Sequence, residues 1–448
     1  MKTIFVTISD GEVSKNILRT DIFRILKNNA RLVLFVNKNK FEYFKKNFLS
    51  ENVLIETIPA PTLPRIEEMF SDIFLFSLHT KSILVKIEYF YFSGGNLIGR
   101  LIKKILWFFG KFFWYRQIIR LIYRYVPDKS FDDYFEKYNP DLIFAANLIS
   151  NEDSRILKAA KQFGVESIGM PKGWDNLTLK TFLGFFPDFL MVPTPLMKED
   201  AVKFLDYPEG KIEVVGFSKF DIYLAKPKIT REEFLVSMGL DPKKKTILYA
   251  GAGDQLAPYD EEILRDLLGA IESGKINVPV QVLVRPHPKY IYRSEIIKQS
   301  KNWILDRPGK LIDSKRGNFE FEEEDIRHLV DSLFFCDVLI HTASTLGIEA
   351  AIFNKPSISI AFDGPAVLPD ELSVKRYYDY VHLKRVVDTG GMKIAYNFKD
   401  LIDFLNDYLL NPRLDSDNRK KMLYENAYNI DGQACSRVAK FIIEKLEN

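Results

Sequence analysis

Two side chains suited to binding phosphate follow the apolar segment Val280–Val284. Arg285 and His287 are each followed by proline, and this keeps the chain extended. Side chains two positions apart in an extended segment point the same way, so the guanidinium and the imidazole are predicted to converge. Such a pair suits a diphosphate, because arginine binds phosphate oxygens through two parallel hydrogen bonds. The alternative is a turn in which the histidine only hydrogen-bonds the backbone.

A second polar group lies within Asp337–Phe353, which predicts a buried strand ending at His341, a turn of small residues and a helix. Ser344 and Thr345 are at the predicted helix start, where free N–H groups and the helix dipole favour an anion. Glu349 follows Thr345 by one helical turn on the same face. A pyrophosphate with a ribose beside it would fill such a site. Ordinary helix capping by the hydroxyl and carboxylate groups is the alternative.

The turn Gly251–Asp254 follows another predicted strand and contains Gly251 and Gly253. These glycines would either let a substrate approach the backbone or hold a positive φ. The turn lacks the spacing of a dinucleotide-binding fingerprint and that of a phosphate-binding P-loop. By itself it is a weak indication of donor binding.

The first half of the chain offers candidates for acceptor binding and for a general base. Asp10 and Glu12 follow the first predicted strand, where a carboxylate could accept a proton or cap a helix. Trp174, Asp175 and Asn176 follow another strand and could stack on a sugar and hydrogen-bond to it. The alternative is a packed tryptophan in a turn stabilised by the Asp and Asn side chains.

The segment Gly95–Tyr125 combines seven Lys or Arg residues with many aromatic residues and contains no Asp or Glu. This composition is typical of an interfacial helix on an anionic bilayer. A pair of core helices with snorkelling cationic side chains is the alternative. The predicted membrane contacts are Lys103, Lys104, Trp107, Phe108, Lys111 and Trp114.

Strand and helix patterns alternate along both halves of the chain, which predicts parallel sheets covered by helices. A helical pattern runs from about Val13 to Lys27, and Met392–Lys393 is predicted to be a loop. The predicted strands are Thr3–Ser9, Arg31–Asn37, Asn52–Ile58, Asp141–Ala145, Val165–Met170, Phe189–Val192, Ile212–Gly216, Thr246–Ala250, Val280–Val284, Asp337–Ile340 and Ser357–Ile360.

The length of 448 residues suggests two domains. The first, 1–225, would bind the acceptor and carry a helical aromatic and basic insertion at about 63–138. The second, 226–448, would bind the donor and end in a closing helix. The net charge of +3 is too small to suggest nucleic acid as a partner, and the two cysteines show no metal-ligand spacing. We expect a cytoplasmic protein, with peripheral attachment to the inner face of the plasma membrane as an alternative.

The chain resembles the GT-B glycosyltransferases, and within them the surface-polysaccharide proteins related to CDP-glycerol glycerophosphotransferases and UDP-N-acetylglucosamine 2-epimerases. The resemblance rests on four short motifs: LVRPHP (Leu283–Pro288), HTASTLGIEA (His341–Ala350), GWDNLT (Gly173–Thr178) and VVGFSKFD (Val214–Asp221). It implies an α/β protein of GT-B type, with two Rossmann-like domains whose parallel sheets face each other across a cleft.

The resemblance also implies roles for individual residues. Arg285 and His287 would bind the donor phosphates, Ser344 and Thr345 would hold phosphate, and Glu349 would bind the ribose hydroxyls. The implied activity is metal-independent transfer of a sugar from a nucleotide-sugar donor to a saccharide or lipid-linked acceptor, with no cofactor. Asp10 is the leading candidate for the catalytic base, ahead of Glu12 and Asp175. Transfer of a polyol phosphate, epimerisation of a sugar nucleotide and a non-catalytic membrane-attached scaffold are the alternatives.

Overall fold

The central strands of two parallel sheets are four to six residues long and rich in apolar residues, because strands covered by helices on both faces bury every side chain. TIFVTI, for example, is buried at all six positions. The computed structural model describes residues 1–287, 302–307, 309–311 and 319–447. The chain divides into unit 1, Met1–Asp221 with Tyr428–Asn448, and unit 2, Ile222–Ala427.

Unit 1 contains a seven-stranded parallel sheet in the order β3-β2-β1-β4-β5-β6-β7. Its strands are β1 Thr3–Ile8, β2 Arg31–Val36, β3 Val53–Thr57, β4 Leu142–Ala145, β5 Glu166–Gly169, β6 Phe189–Val192 and β7 Ile212–Val214. The helices up to β7 are α1 Gly11–Ile17, α2 Asp21–Asn29, α3 Phe41–Phe48, α4 Pro64–Phe76, α5 Lys81–Phe92, α6 Leu97–Phe109, α7 Phe113–Tyr125, α8 Asp132–Tyr138, α9 Asn151–Phe163, α10 Asn176–Leu179 and α11 Pro195–Leu205.

Unit 2 contains a six-stranded parallel sheet in the order β10-β9-β8-β13-β14-β15, and β11 pairs with β12 in a separate antiparallel ribbon. Its strands are β8 Lys245–Ala250, β9 Val280–Val284, β10 Trp303–Leu305, β11 Lys310–Leu311, β12 Phe319–Glu320, β13 Val338–His341, β14 Ser357–Ile360 and β15 Lys393–Ala395. Its helices are α12 Arg231–Ser237, α13 Asp260–Glu272, α14 Glu323–Phe335, α15 Leu346–Ile352, α16 Val381–Asp388, α17 Phe398–Leu410 and α18 Ser416–Asn426.

The last helix, α19 (Ala434–Glu447), packs in unit 1. Its apolar residues Val438 and Ile442 join the buried core formed by β1, β2 and the helices on that face. The side chain of Asp221 accepts hydrogen bonds from the backbone N–H groups of Ala434 (3.2 Å) and Cys435 (2.7 Å) at the start of this helix. A carboxylate at a helix N-terminus is favoured by the dipole and by the unpaired N–H groups.

All eleven predicted strands form, with ends that differ by up to two residues. The helical pattern predicted from Val13 to Lys27 forms two helices, because the Thr20 hydroxyl bonds back to the carbonyls of Asn16 (3.2 Å) and Ile17 (2.9 Å) and the chain restarts at Asp21. The loop predicted at Met392–Lys393 was wrong in part. Lys393 begins β15, which pairs with β14. A three-residue strand is too short to show a pattern, and its partner in the sheet determines it.

Candidate functional site

The strand order of the unit 2 sheet reverses next to β8. From β8, the chain passes outward through β9 and β10, and then returns to place β13 on the other side of β8. This is the 3-2-1-4-5-6 order of a Rossmann sheet, in which ligands bind outside the strand ends where the order reverses. The two turns at that point are Gly251–Asp254 after β8 and Thr342–Thr345 after β13.

The turn after β13 is held together by its own hydrogen bonds. Its N–H groups donate to neighbouring side chains: Ala343 to Ser359 Oγ, Ser344 to His341 Nδ1 and Leu346 to Ser344 Oγ, each at 3.3 Å. Ala343 has a φ of +44°, so the turn needs a small residue there. The N–H groups predicted to be free for phosphate are therefore partly used within the turn.

His341 and Thr342 are buried residues of this turn that the sequence reasoning did not select as ligands. Burial lowers the pKa of His341 to about 3, so the imidazole is neutral. Because Nδ1 accepts the hydrogen bond from Ser344, the proton is on Nε2. Among the described residues, neither His341 Nε2 nor Thr342 Oγ1 has a hydrogen-bond partner, although the two residues are 1% and 4% exposed. Buried polar atoms of this kind are rare and point to a missing polar ligand or water.

Gly347 lies directly above His341. A Cβ at this position would be 2.7 Å from His341 Nε2, so only glycine lets the first turn of α15 approach the imidazole this closely.

Glu349 is buried and accepts two hydrogen bonds from hydroxyl groups. Thr345 Oγ1 donates to one carboxylate oxygen at 3.2 Å, as the one-turn spacing predicted, and Tyr223 Oη donates to the other at 2.5 Å. The Tyr223 ring stacks on Phe353 at 5.7 Å, and this contact fixes its direction. Sequence reasoning missed Tyr223, because 126 residues separate it from Glu349.

Arg285 and His287 occupy different environments after β9. The Arg285 side chain is only 5% exposed and forms an ion pair with Asp306, while its Nη2 donates to the carbonyl of Asp325 at 3.4 Å. The His287 side chain is exposed, and the backbone N–H of His287 donates to the carbonyl of Gly251 at 2.9 Å. Pro288, the last residue of the predicted LVRPHP motif, lies outside the described residues.

Asp306 also contacts a second basic side chain, because His328 Nε2 lies 3.0 Å from the same carboxylate. Burial alone would raise the pKa of Asp306, but His328 and Arg285 outweigh it and hold that pKa below its ordinary value. The carboxylate therefore stays ionised and neutralises Arg285 from within the unit.

The two glycines of the Gly251–Asp254 turn are buried. Gly253 has a φ of +80°, so the positive φ that the sequence allowed for is present there. Its carbonyl accepts hydrogen bonds from Leu256 (3.1 Å) and Ala257 (2.9 Å), and this leads the chain toward α13.

The unit 1 sheet has the same strand order with a seventh strand added, and the order reverses between β1 and β4. Asp10 follows β1, caps α1 by accepting from the Val13 N–H at 3.0 Å, and forms an ion pair with Lys172. Burial alone would raise the pKa of Asp10, but Lys172 and the N–H groups of α1 outweigh it and lower the pKa. Glu12 pairs with Lys15 at 2.9 Å. Lys172 was not selected from the sequence.

Buried polar atoms without partners also occur beside Asp10. Among the described residues these include Ser14 Oγ, Asn16 Oδ1 and Asn147 Oδ1. Asn147 follows β4, and its Nδ2 donates to Ser9 Oγ at 2.8 Å. The two amide oxygens can accept hydrogen bonds, so this edge suits a ligand with hydroxyl groups.

The turn of Trp174, Asp175 and Asn176 is more internal than predicted. Trp174 is half-buried, and Asn176 is only 1% exposed. Asn176 closes the turn by accepting from the Gly173 N–H at 3.0 Å and donating to Asp175 at 2.8 Å. Asp175 also lies 3.5 Å from Lys180. These contacts fit the predicted alternative of a turn stabilised by Asp and Asn.

The six predicted membrane contacts divide between two faces. Trp107 donates to the carbonyl of Thr80 at 2.8 Å, Lys104 pairs with Glu88 at 2.6 Å, and Lys103 lies over Phe76 at 4.8 Å from the ring centroid. These three lie on the side of α6 that packs on the protein. Phe108, Lys111 and Trp114 are exposed.

The described residues include no group of three or more His, Cys, Asp or Glu side chains placed to hold a metal ion. They also include no helix with the length and apolar character needed to cross a bilayer.

Solved structures share this fold over the whole chain. The Staphylococcus aureus MnaA–UDP complex matches all of this chain and 97% of its own, with a TM-score of 0.56 and 13% identity. UDP-GlcNAc 2-epimerase from Neisseria meningitidis, bound to UDP-GlcNAc, matches over 100% of both chains with the same TM-score and identity. A variant of the wall teichoic acid polymerase TagF matches all of this chain and 89% of its own, with a TM-score of 0.55 and 12% identity.

These likenesses confirm the predicted fold class, a GT-B-like pair of parallel-sheet α/β units. No family model matches the sequence. No curated protein matches it either.

Proposed function

We propose that this protein is a glycosyltransferase that moves a sugar from a nucleotide-sugar donor to a hydroxyl acceptor in surface polysaccharide or glycolipid assembly. One observation carries the donor half of this proposal. At the strand-order reversal of unit 2, two buried groups that can donate hydrogen bonds, His341 Nε2 and Thr342 Oγ1, have no partner among the described residues. A nucleotide diphosphate supplies the acceptor oxygens that such groups lack.

The donor would lie along the ends of β8, β9 and β13. His287 is exposed after β9 and would donate a hydrogen bond to the phosphates, which would stabilise the leaving nucleotide as it develops negative charge. Arg285 would hold this segment through its buried pair with Asp306. Thr345 and Glu349 would face the ribose, with Tyr223 fixing the carboxylate.

The acceptor would lie at the corresponding edge of unit 1. Asp10 is the candidate base, because its lowered pKa keeps the carboxylate ionised and its side chain is 39% exposed. The Asn16 and Asn147 oxygens would accept hydrogen bonds from acceptor hydroxyl groups. Glu12, which is paired with Lys15, and Asp175, which is bonded within its own turn, are the alternative bases.

A nucleotide screen tests the donor half. Binding of UDP, CDP or GDP should raise the melting temperature of the protein, since a ligand that binds only the folded state stabilises it. Thr342→Val should remove most of that shift. Ser357→Ala is the matched control. Ser357 is also buried, and its hydroxyl has no partner in the described part of the chain, but it is the first residue of β14 and so lies at the amino end of the sheet. No shift with any nucleotide would favour the non-catalytic scaffold.

Product mass then distinguishes the reactions. Incubation with the nucleotide-sugar that binds and a saccharide acceptor should add one sugar to the acceptor. Addition of a glycerol phosphate from a CDP-alcohol would indicate polyol-phosphate transfer instead. Conversion of the donor without any acceptor would indicate an epimerase.

A further inference from the structure

Helix α6 exposes an apolar face to solvent. It contributes no buried residue, and its large apolar side chains at helical spacing are 37–72% exposed: Ile98, Leu101, Ile102, Ile105, Phe108 and Phe109. These positions recur every three or four residues, so they form one stripe. An apolar patch of this extent on a water-soluble surface marks an interaction site.

Helix α7 continues the same surface. Its exposed apolar side chains are also spaced at three or four residues and are 47–78% exposed: Trp114, Ile118, Leu121, Ile122 and Tyr125. Two residues of the loop and helix start, Phe112 and Trp114, stack at 5.8 Å and connect the stripes of the two helices. The two stripes together are named the α6–α7 face.

The opposite sides of both helices are anchored to unit 1. Arg100 and Lys104 share Glu88 at 2.6 Å each, and Trp107 stacks on His79 at 4.1 Å. In α7, Arg116 and Arg120 share a single carboxylate, Asp206, at 2.5 and 3.1 Å. These contacts fix which side of each helix faces outward, so the exposed stripe is a property of the fold.

The charge around the face is positive. Gly95–Tyr125 carries seven basic residues and no acidic one. Within the described part of the chain, two carboxylates from neighbouring elements, Glu88 and Asp206, form ion pairs with four of these basic residues. Lys111 and Arg124 are exposed on the face itself.

A cationic cavity of about 480 Å³ adjoins the face at the end of α7. Leu121 belongs to the exposed stripe and also lines the cavity. Four cations and one carboxylate line it as well: Arg120, Arg124, Lys161, Lys211 and Asp188. The excess of cations suits an anionic phosphate group beside an apolar surface.

We propose that the α6–α7 face docks on a bilayer rich in anionic phospholipid, with lipid phosphates drawn to the cavity at its edge. Apolar and aromatic side chains would enter the interfacial region, and the neighbouring cations would pair with head groups. Each helix of 13 residues is about 20 Å long and would lie in the plane of the interface. A second copy of the chain fits less well, because a two-fold contact would bring two identical cationic faces together.

Vesicle cosedimentation with the full chain tests this proposal, and it requires no nucleotide, so its outcome is independent of the transferase test. The protein should bind vesicles of phosphatidylcholine mixed with phosphatidylglycerol more tightly than vesicles of phosphatidylcholine alone. The double variant Ile102→Glu, Ile105→Glu should weaken binding at least about tenfold, because both charges would enter the interface. Lys161→Glu with Lys211→Glu should mainly reduce the additional vesicle binding that phosphatidylglycerol provides.

Val236→Glu with Val367→Glu is the matched control, since these apolar residues are 60% and 99% exposed in unit 2. This variant should bind vesicles as the unchanged protein does. Equal binding by the α6 variant, or no binding to phosphatidylglycerol vesicles, would overturn the proposal. So would a dimer in solution that the α6 variant converts to a monomer, because the face would then be a contact between copies.

Discussion

The two sheets have the same strand order, yet their carboxyl edges differ in burial and in hydrogen-bonding capacity. In unit 1 the ion pair of Asp10 and Lys172 is 39% and 24% exposed, whereas in unit 2 the pair of Asp306 and Arg285 is 12% and 5% exposed. Among the described residues, the buried atoms without partners also differ: at the unit 1 edge they include the Asn16 and Asn147 amide oxygens and the Ser14 hydroxyl, and at the unit 2 edge the His341 imidazole N–H and the Thr342 hydroxyl. The unit 1 edge therefore presents two oxygens that can only accept a hydrogen bond, whereas the unit 2 edge presents an N–H that can only donate one.

The two ion pairs should differ most in their contribution to stability. Asp306→Ala leaves Arg285 buried without its carboxylate and should lower the free energy of unfolding by about 3–5 kcal/mol. Lys172→Met should cost less than about 1 kcal/mol, because Asp10 remains partly solvated. Urea unfolding of both variants measures the difference. Equal losses in the free energy of unfolding would show that the different burial of the two ion pairs does not affect stability.

His287→Ala tests whether the carboxyl edge of the unit 2 sheet takes part in catalysis. Loss of a group that stabilises or protonates the leaving phosphate should lower kcat about 100-fold with the donor identified in the nucleotide screen. Because His287 is exposed, the urea midpoint should not change. Lys384→Ala, which removes another exposed polar side chain of unit 2, is the control. Near-normal turnover would remove His287 from the site.

Each unit also contains one buried aspartate that should make stability depend on pH. Burial raises the pKa of Asp153 in unit 1 and of Asp260 in unit 2 to about 7. Between pH 5 and 7 the folded state therefore binds more protons than the unfolded state, and stability should fall as pH rises, by up to about 1.4 kcal/mol per pH unit for each group. Urea midpoints at several pH values should show a smaller slope for Asp153→Asn and for Asp260→Asn. An unchanged slope would contradict the assignment.

A small effect on stability and on nucleotide affinity is expected at the proposed ribose-binding residues of unit 2. Tyr223→Phe removes one hydrogen bond to the buried Glu349 carboxylate and should lower stability by about 1 kcal/mol. Calorimetric titration should also show a modestly weaker affinity for the nucleotide, because the carboxylate is less firmly held. Tyr424→Phe is a suitable control, since Tyr424 is 73% exposed. If the two variants bind the nucleotide equally well, Tyr223 does not position Glu349 for the ribose.

Local sequence patterns predicted most of the fold, and the strands that were not predicted have a simple explanation. Apolar runs such as Val338–Ile340 predicted their strands because burial on both faces favours apolar residues. The short strands β10, β11, β12 and β15 were missed because two or three residues show no periodicity, whereas the equally short β7 belongs to the longer, mostly apolar segment Ile212–Gly216. The spacing of Thr345 and Glu349 predicted their contact, since one helical turn separates them.

Contacts between distant segments could not be predicted in this way. The partners Lys172 of Asp10, Tyr223 of Glu349 and Asp306 of Arg285 come from segments 162, 126 and 21 residues away. The sequence alone indicated which segment, Gly95–Tyr125, mixes basic and aromatic residues. Only the packing of α6 and α7 determined that Trp107 faces the protein while Ile102 and Ile105 face solvent.

Composition and periodicity therefore determined the elements and their layering, because backbone hydrogen bonding and burial act over a few residues. The tertiary structure decided which polar atoms are paired, which are buried without a partner and which apolar stripe stays uncovered. Those properties depend on the neighbours that each side chain meets after the sheet has formed, and no local pattern specifies them.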